Sequence, residues 1–303
     1  MRVEESQQRF RERIEKRKSD LSPAPNLSRF SMSLVALFAV TVAASGQDTS
    51  TASNAPDFSH PSTVEDIARE KQNPVSGLRS LTLQNVNFPL GNGTADSFSI
   101  QPVWPFRLSP DWRLVTYTIA PIEWLPSQGP NTRSASGLGN ILFNGYISPE
   151  KPSGSFKWGI GPAVQLPTRT DSLLGSNRLS LGPAALLYAT AGPVSGGIVL
   201  QNYWSIGGEG SNKVNQGSAQ YIAYYNLPKG LYLYSNATIT ANWLAKSSDR
   251  WLVPIGGGIG KVFQIGKGKT FYSASAQGFY NAVRPDPVGD WTVIVQFQII
   301  FSQ

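Results

Sequence analysis

Trp291 to Ser302 reads WTVIVQFQIIFS, and the reading of this stretch decides the fold. Trp291, Val293, Val295, Phe297, Ile299 and Phe301 fall on one face of an extended strand. Thr292, Gln296, Gln298 and Ser302 fall on the other, with Ile294 and Ile300 as apolar exceptions. Twelve residues of such alternation is about twice an ordinary strand. It suits a tilted strand that crosses a bilayer. One long apolar face and one polar face imply lipid outside and polar contents inside, the pattern of a transmembrane β-barrel.

The bulk composition agrees. The chain has 303 residues, with 29 Gly, 22 Pro, 40% hydrophobic and only 15% charged residues, yet its mean hydropathy is −0.19. Soluble domains carry about 25% charged residues, and the slightly negative hydropathy excludes a helical membrane protein. A barrel gives both numbers, because half of each strand faces a polar lumen. A soluble β-sandwich or lipocalin-like barrel is the alternative. Cysteine is absent, which removes disulfides, thiolate metal sites and a lipobox. Of the 26 basic residues behind the net charge of +7, eight lie in the first 46 positions. The run Arg9–Lys18 resembles a nucleic-acid arm, but no aromatic platform or basic face follows it. No nucleic acid is expected as a partner, and a targeting role or a misassigned start codon explains the run better.

Three segments are expected: 1–46 as an N-terminal extension with a signal peptide, 47–75 as a disordered linker with a short periplasmic helix, and 76–303 as an outer-membrane β-barrel. Arg29 precedes the apolar stretch Phe30–Ala44, whose core from Leu34 is short for a span. Ala43, Ala44, Ser45 and Gly46 follow as a cleavage region; translation starting at Met32 and an uncleaved anchor are the competing readings. Gln47–Pro61 is polar and lacks periodicity. Ser62-Thr63-Val64-Glu65 matches a capping box, so a helix is expected over Thr63–Lys71, ended by Asn73-Pro74. It is expected to lead into the barrel, with plugging of the lumen as the alternative.

Alternating segments separated by turn residues predict twelve strands: Leu81–Phe88, Ser97–Phe106, Trp112–Trp124, Gly137–Ile147, Ser155–Leu166, Arg178–Thr190, Val194–Ile206, Gly217–Leu227, Leu231–Trp243, Trp251–Phe263, Thr270–Tyr280 and Trp291–Ser302. Their connections form two classes. Tight turns are expected at Ser109–Asp111, Pro149–Gly154, Gly192-Pro193, Pro228–Gly230 and Gly266–Lys269. Longer polar loops are expected at Gly91–Asp96, Ser127–Ser136, Thr168–Asn177, Gly207–Gln216, Ala245–Arg250 and Ala282–Asp290. The two classes alternate, as short periplasmic turns and longer outer loops do in bacterial barrels. The fold class is therefore all-β: a twelve-stranded antiparallel transmembrane β-barrel with a short N-terminal periplasmic helix.

Strand parity nominates a lumen lining of Gln101, Gln220, Tyr224, Tyr232, Tyr234, Asn236, Thr238, Gln277, Gln296 and Gln298. Trp104, Trp112, Trp124, Trp204, Trp243, Trp251 and Trp291 stand near strand ends, where indole rings mark the lipid–water interface. Arg113, Lys157, Arg178, Arg250 and Lys261 lie in or beside strands; pointing inward they would attract anions or pair with luminal acids, and pointing outward they would sit at headgroup level.

Catalytic chemistry finds little support. His60 is the only histidine and falls in the linker, so no His triad or His metal cluster is expected in the barrel. Glu123, Glu209 and Asp249 fall near outer strand ends with no pairing in their spacing. Gly256–Lys261 looks like a phosphate loop but lacks the leading Gly, and Val262 replaces Ser/Thr. That Gly run is expected to let a strand bend. No catalytic residue, metal or cofactor is assigned, and the chain is not expected to be an enzyme.

Asn73–Phe88, Ser97–Pro121, Ser136–Pro152, Phe156–Leu187 and Asn202–Gly208 carry a family resemblance. Its marks are Gln101-Pro102, Ser136-Gly137-Leu138-Gly139, Trp158-Gly159-Ile160-Gly161-Pro162 and Leu166-Pro167-Thr168. From about Asn73 to its end the chain resembles bacterial outer-membrane barrels labelled "neuromedin U" or "phenol-degradation MetA pathway" proteins. The resemblance implies a Gram-negative outer-membrane barrel with a transport role for small hydrophobic or aromatic solutes. It supplies no catalytic residues. Phe301 is followed by Ser302-Gln303, a departure from the terminal aromatic that the outer-membrane assembly machinery reads. The expected function is porin-like passive passage of small solutes through the bacterial outer membrane, with membrane lipid and that machinery as partners. A non-conducting structural or adhesive barrel displaying its loops is the alternative.

Overall fold

The computed structural model describes residues 63–128, 131–151, 154–208 and 213–302. The expected signal peptide and most of the linker lie outside the described residues. One helix, α1 (Val64–Glu70), precedes thirteen strands: β1 (Arg79–Leu90), β2 (Gly93–Arg107), β3 (Trp112–Leu125), β4 (Ala135–Leu138), β5 (Leu142–Pro149), β6 (Phe156–Gln165), β7 (Arg178–Ala191), β8 (Val194–Gly208), β9 (Asn215–Asn226), β10 (Leu231–Asn242), β11 (Trp251–Gln264), β12 (Thr270–Val283) and β13 (Trp291–Phe301). Apart from β4 and β5, which do not pair with each other, strands adjacent in sequence pair antiparallel, and β1 pairs with β13 from Arg79↔Phe301 to Asn87↔Val293. The sheet is therefore closed. β4 and β5 both pair with β3 and are two pieces of one stave, so the barrel has twelve staves.

Two expectations are corrected. The fourth strand is not continuous over Gly137–Ile147; it breaks at Gly139–Ile141. The connection expected as a loop over Gly91–Asp96 is a tight turn at Gly91-Asn92, and Gly93–Asp96 already belongs to β2. Gly91 adopts φ +58 there, a conformation glycine takes without a side-chain clash.

Parity along β13 sorts as the sequence implies. Val293, Val295 and Phe301 are exposed outward, whereas Ile294 and Ile300 are buried. The two exceptions have a physical reason. Ile300 belongs to an inner apolar cluster with Ile67 and Ala68 of α1, and Ile294 to a second one with Phe88, Leu90, Phe279 and Val288. The core lies inside the cylinder.

The outer wall is apolar and bounded by tryptophans at both ends. Trp104, Trp112 and Trp158 are exposed near the short-turn end, and Trp124, Trp204, Trp243, Trp251 and Trp291 near the loop end. Trp158, absent from the expected set, completes the lower group. Trp112 and Trp124 sit at opposite ends of β3; twelve steps of about 3.3 Å at a tilt near 40° separate them by roughly 30 Å along the barrel axis. That is about the thickness of a bilayer's hydrocarbon core. No helix among the described residues is long and apolar enough to cross a membrane; the strands would do the crossing.

Candidate functional site

The inner wall is built by parity. Gln101, Gln220, Tyr224, Tyr232, Tyr234, Asn236, Thr238 and Gln277 are all buried, and Gln296 and Gln298 are half-buried. All ten face inward, beside neighbours of the same parity. Tyr224, Tyr232 and Tyr234 form one aromatic cluster with ring centroids 5.3–5.5 Å apart. A β carbon on Gly260 would collide with the Tyr232 ring, so glycine there lets the ring pack close against β11.

Other strands of the inner wall hold residues that sequence reasoning missed. Tyr203 Oη donates to Gln201 Oε1 (2.7 Å), and Gln201 Nε2 donates to Tyr146 Oη (2.9 Å). Tyr117 Oη donates to Gln101 Oε1 at 2.9 Å. The same period-two count along β3, β5 and β8 would have found these tyrosines. Buried hydroxyls and amides paired to one another give a lining that is polar yet nearly uncharged.

Helix α1 and the segment after it occupy the short-turn end of this lumen. The helix does not lie peripherally as the lead-in expectation had it: it packs inside the barrel end, in the position of a plug. Its N-cap also differs by one residue from the expected box. Thr63 is the cap, and its Oγ1 accepts from the Asp66 N–H. Glu65 is freed for another task and accepts from the backbone N–H of Lys229, in the turn between β9 and β10, at 2.8 Å. Ile67 and Ala68 face inward and are fully or almost fully buried.

Polar contacts hold the plug to the wall on several sides. Lys157 Nζ meets Glu70 Oε2 at 3.4 Å. Ser195 Oγ donates to Gln72 Oε1 (2.6 Å), and Gln72 Nε2 donates to Asn226 Oδ1 (2.7 Å). Arg113 forks onto both Glu150 oxygens at 2.8 Å and also donates to the Val75 carbonyl at 3.3 Å. Lys71 Nζ lies 4.7 Å from the centre of the Tyr232 ring. Arg113 and Lys157 thus resolve inward as plug clamps, while Lys261 is exposed outward.

A cavity of about 100 Å³ remains between plug and wall, lined by Lys71, Tyr117, Tyr224, Asn236, Ser273, Gln296 and neighbours. At the loop end, the β12–β13 connection folds inward. Gly91 N–H donates to the Pro287 carbonyl, Gly289 N–H donates to Pro89, and Val288 is buried. The break between β4 and β5 is sutured by Leu166–Thr170. Leu166 N–H donates to the Ile141 carbonyl, Thr168 Oγ1 donates to Gly139 O and accepts from Ile141 N–H, and Thr170 N–H donates to Leu138 O. Two of the sequence marks, Ser136–Gly139 and Leu166–Thr168, thus meet in space. Glu123 is buried beside this suture, and its Oε2 has no hydrogen-bond partner among the described residues.

His60 lies outside the described residues, and no cluster of metal-ligating side chains occurs among those that are described. No family model and no curated protein matches the chain. Among solved structures it is similar to the COG4313 outer membrane channel from Pseudomonas putida F1, with a TM-score of 0.57 and 14% identity over 82% of this chain and 100% of that one. Outer membrane phospholipase A from Escherichia coli is more distant, with a TM-score of 0.39 and 12% identity over 80% of this chain and 98% of that one. The Salmonella typhi outer membrane phospholipase dimer with bound calcium has a TM-score of 0.38 and 13% identity over 79% and 98%. The closed sheet, its apolar belt and the first of these likenesses define the fold class: a closed twelve-stave antiparallel β-barrel of the kind seen in that channel structure.

Proposed function

We propose that the protein is a plugged channel of the Gram-negative outer membrane, passing small, uncharged or weakly polar solutes by diffusion. The observation that carries this reading is the seating of α1. It is held largely through exchangeable hydrogen bonds and half-buried ion pairs to a polar wall, contacts that water can replace when the plug moves. A twelve-stave cylinder lies between small barrels filled by side chains and wide porins, so plug displacement leaves a narrow path. Selection then rests on width and on a Tyr, Gln, Asn and Ser lining, with no chemistry on the solute. The family resemblance supports hydrophobic or aromatic solutes and forms part of this proposal, as does placement in the membrane by the assembly machinery.

Planar-bilayer recording of the refolded chain tests the proposal. Discrete current steps are expected; a silent membrane across the full voltage range rejects the channel and leaves the structural barrel displaying its loops. Turnover of phospholipid by the purified protein would reject the non-enzymatic reading.

A further inference from the structure

We propose that the cavity between plug and wall is a binding site for a short hydroxycarboxylate, gripped between Lys71 and Asn236, and that an occupied site keeps the plug seated. The ligand is distinct from the solutes that pass. The cavity, of about 100 Å³, lies between the segment after α1 and several staves, β1, β12 and β13 among them. It has room for several waters, or for a solute of about six heavy atoms. Among the described residues, Lys71 is the one cation in its lining, and no Asp or Glu lines it. Glu70, its neighbour in sequence, is taken by Lys157. The Lys71 ammonium meets the Gln298 Oε1 at 3.4 Å and the face of the Tyr232 ring, both of them uncharged.

A half-buried ammonium is costly without a counter-charge, and the wall beneath this one is built to accept an anion. Thr82, Gln298 and Ser273 form one row across β1, β13 and β12, because Gln298 pairs with Thr82 on one side and Ser273 on the other. All three line the cavity. Their two hydroxyls and one amide can donate to the oxygens of a carboxylate that sits on Lys71. One cation matches one negative charge. A dianion would bring a second charge with nothing to offset it.

Asn236 sets the other end of the ligand. It lines the same cavity, is 4% exposed, and its Oδ1 has no hydrogen-bond partner among the described residues. Its Nδ2 is already engaged, donating to Tyr224 Oη at 3.4 Å. A buried acceptor in this state calls for a donor. Lys71 and Asn236 flank the tyrosine cluster. One lies over Tyr232 and the other is bonded to Tyr224, and those two rings are 5.5 Å apart. A molecule with a carboxylate at one end and a hydroxyl a carbon or two away serves both. Bound there, it joins plug to wall, because Lys71 moves with α1 while Asn236 and the Thr82 row belong to the staves. Withdrawing the plug would carry the ammonium away from the carboxylate, so binding favours the closed state.

Isothermal titration calorimetry on the full chain in detergent, with L-lactate, propionate and lactamide at constant ionic strength, tests the site. Lactate is expected to bind. Propionate, which lacks the hydroxyl, is expected to bind about tenfold more weakly, and lactamide, which lacks the charge, not at all. Lys71→Met is expected to abolish lactate binding. Asn236→Ala is expected to weaken lactate to the level of propionate and to leave propionate unchanged, a pattern that a folding defect does not produce. Lactate matched by either analogue, undiminished in Lys71→Met, or not bound at all overturns the site. Bilayer recordings separate this idea from the channel reading. Saturating lactate is expected to lower the open fraction, and Lys71→Met to be insensitive to it; steps that lactate leaves unchanged overturn its hold on the plug. Binding beside a silent membrane keeps the site and rejects the channel, while steps without binding do the reverse.

Discussion

Arg113 shows how much one inward charge decides. It is half-buried, grips Glu150 with two bonds of 2.8 Å, and reaches the plug at the Val75 carbonyl. Charge-assisted hydrogen bonds of this kind are worth about 1.5–3 kcal/mol. Arg113→Met is expected to lower stability by roughly that amount in guanidinium titrations in detergent, and to raise the open fraction in bilayer recordings. The outward-facing Lys261→Gln should change stability by less than about 0.5 kcal/mol. In the outer loops, Arg133 forks onto Asp171 with two bonds of 2.7 Å and, with the Leu173 N–H, holds that carboxyl down at about 2. Because the folded value is depressed, the tie is fully present above the ordinary carboxylate range near pH 4 and is lost as pH falls toward 2. The pair is exposed and screened by salt, so its release should free the loops without unfolding the barrel. An NMR titration checks this: Arg133→Gln should move the Asp171 midpoint upward, and an unmoved midpoint would refute the pairing.

At the level of elements, the plug invites a direct test. Gln72 on the plug and Ser195 on β8 touch through their side chains. With cysteines at both positions, a short reducible thiol cross-linker should pin the plug, suppress current steps, and release them on reduction. Unchanged current while cross-linked would show that solutes bypass the plug. The strands were legible because lipid outside and polar contents inside force a strict period of two, and a slip of one residue would reverse every face. The break at Gly139–Ile141 was not legible, because its repair comes from Thr168, far away in sequence. The plug was not legible either. A seven-residue amphipathic helix reads the same whether its apolar Ile67 meets a lumen or a linker. One signal was present: Arg113 and Lys157 stand at inward positions of β3 and β6, and an inward charge needs a partner. Glu70 and Glu150 supply those partners. The paired tyrosines of β3, β5 and β8 were equally countable, but polar positions spread over several strands give no local motif.

For the molecule as a whole, the two tryptophan belts are expected to set its height in a bilayer if the proposed membrane placement holds. All eight indoles are exposed near one end or the other of the staves. Lipids brominated close to the headgroup should therefore quench their fluorescence more than lipids brominated at the chain end; the opposite order would place the rings at mid-depth and refute the belts. The plug's attachment has a consequence of its own. Only Lys71–Leu78 separates α1 from β1, and eight residues reach at most about 27 Å when extended. A displaced helix stays leashed beneath its own doorway, at an effective concentration on the order of millimolar. Reclosure is thus a unimolecular event, indifferent to dilution, and a free peptide copy of the helix would compete only when supplied at comparable strength.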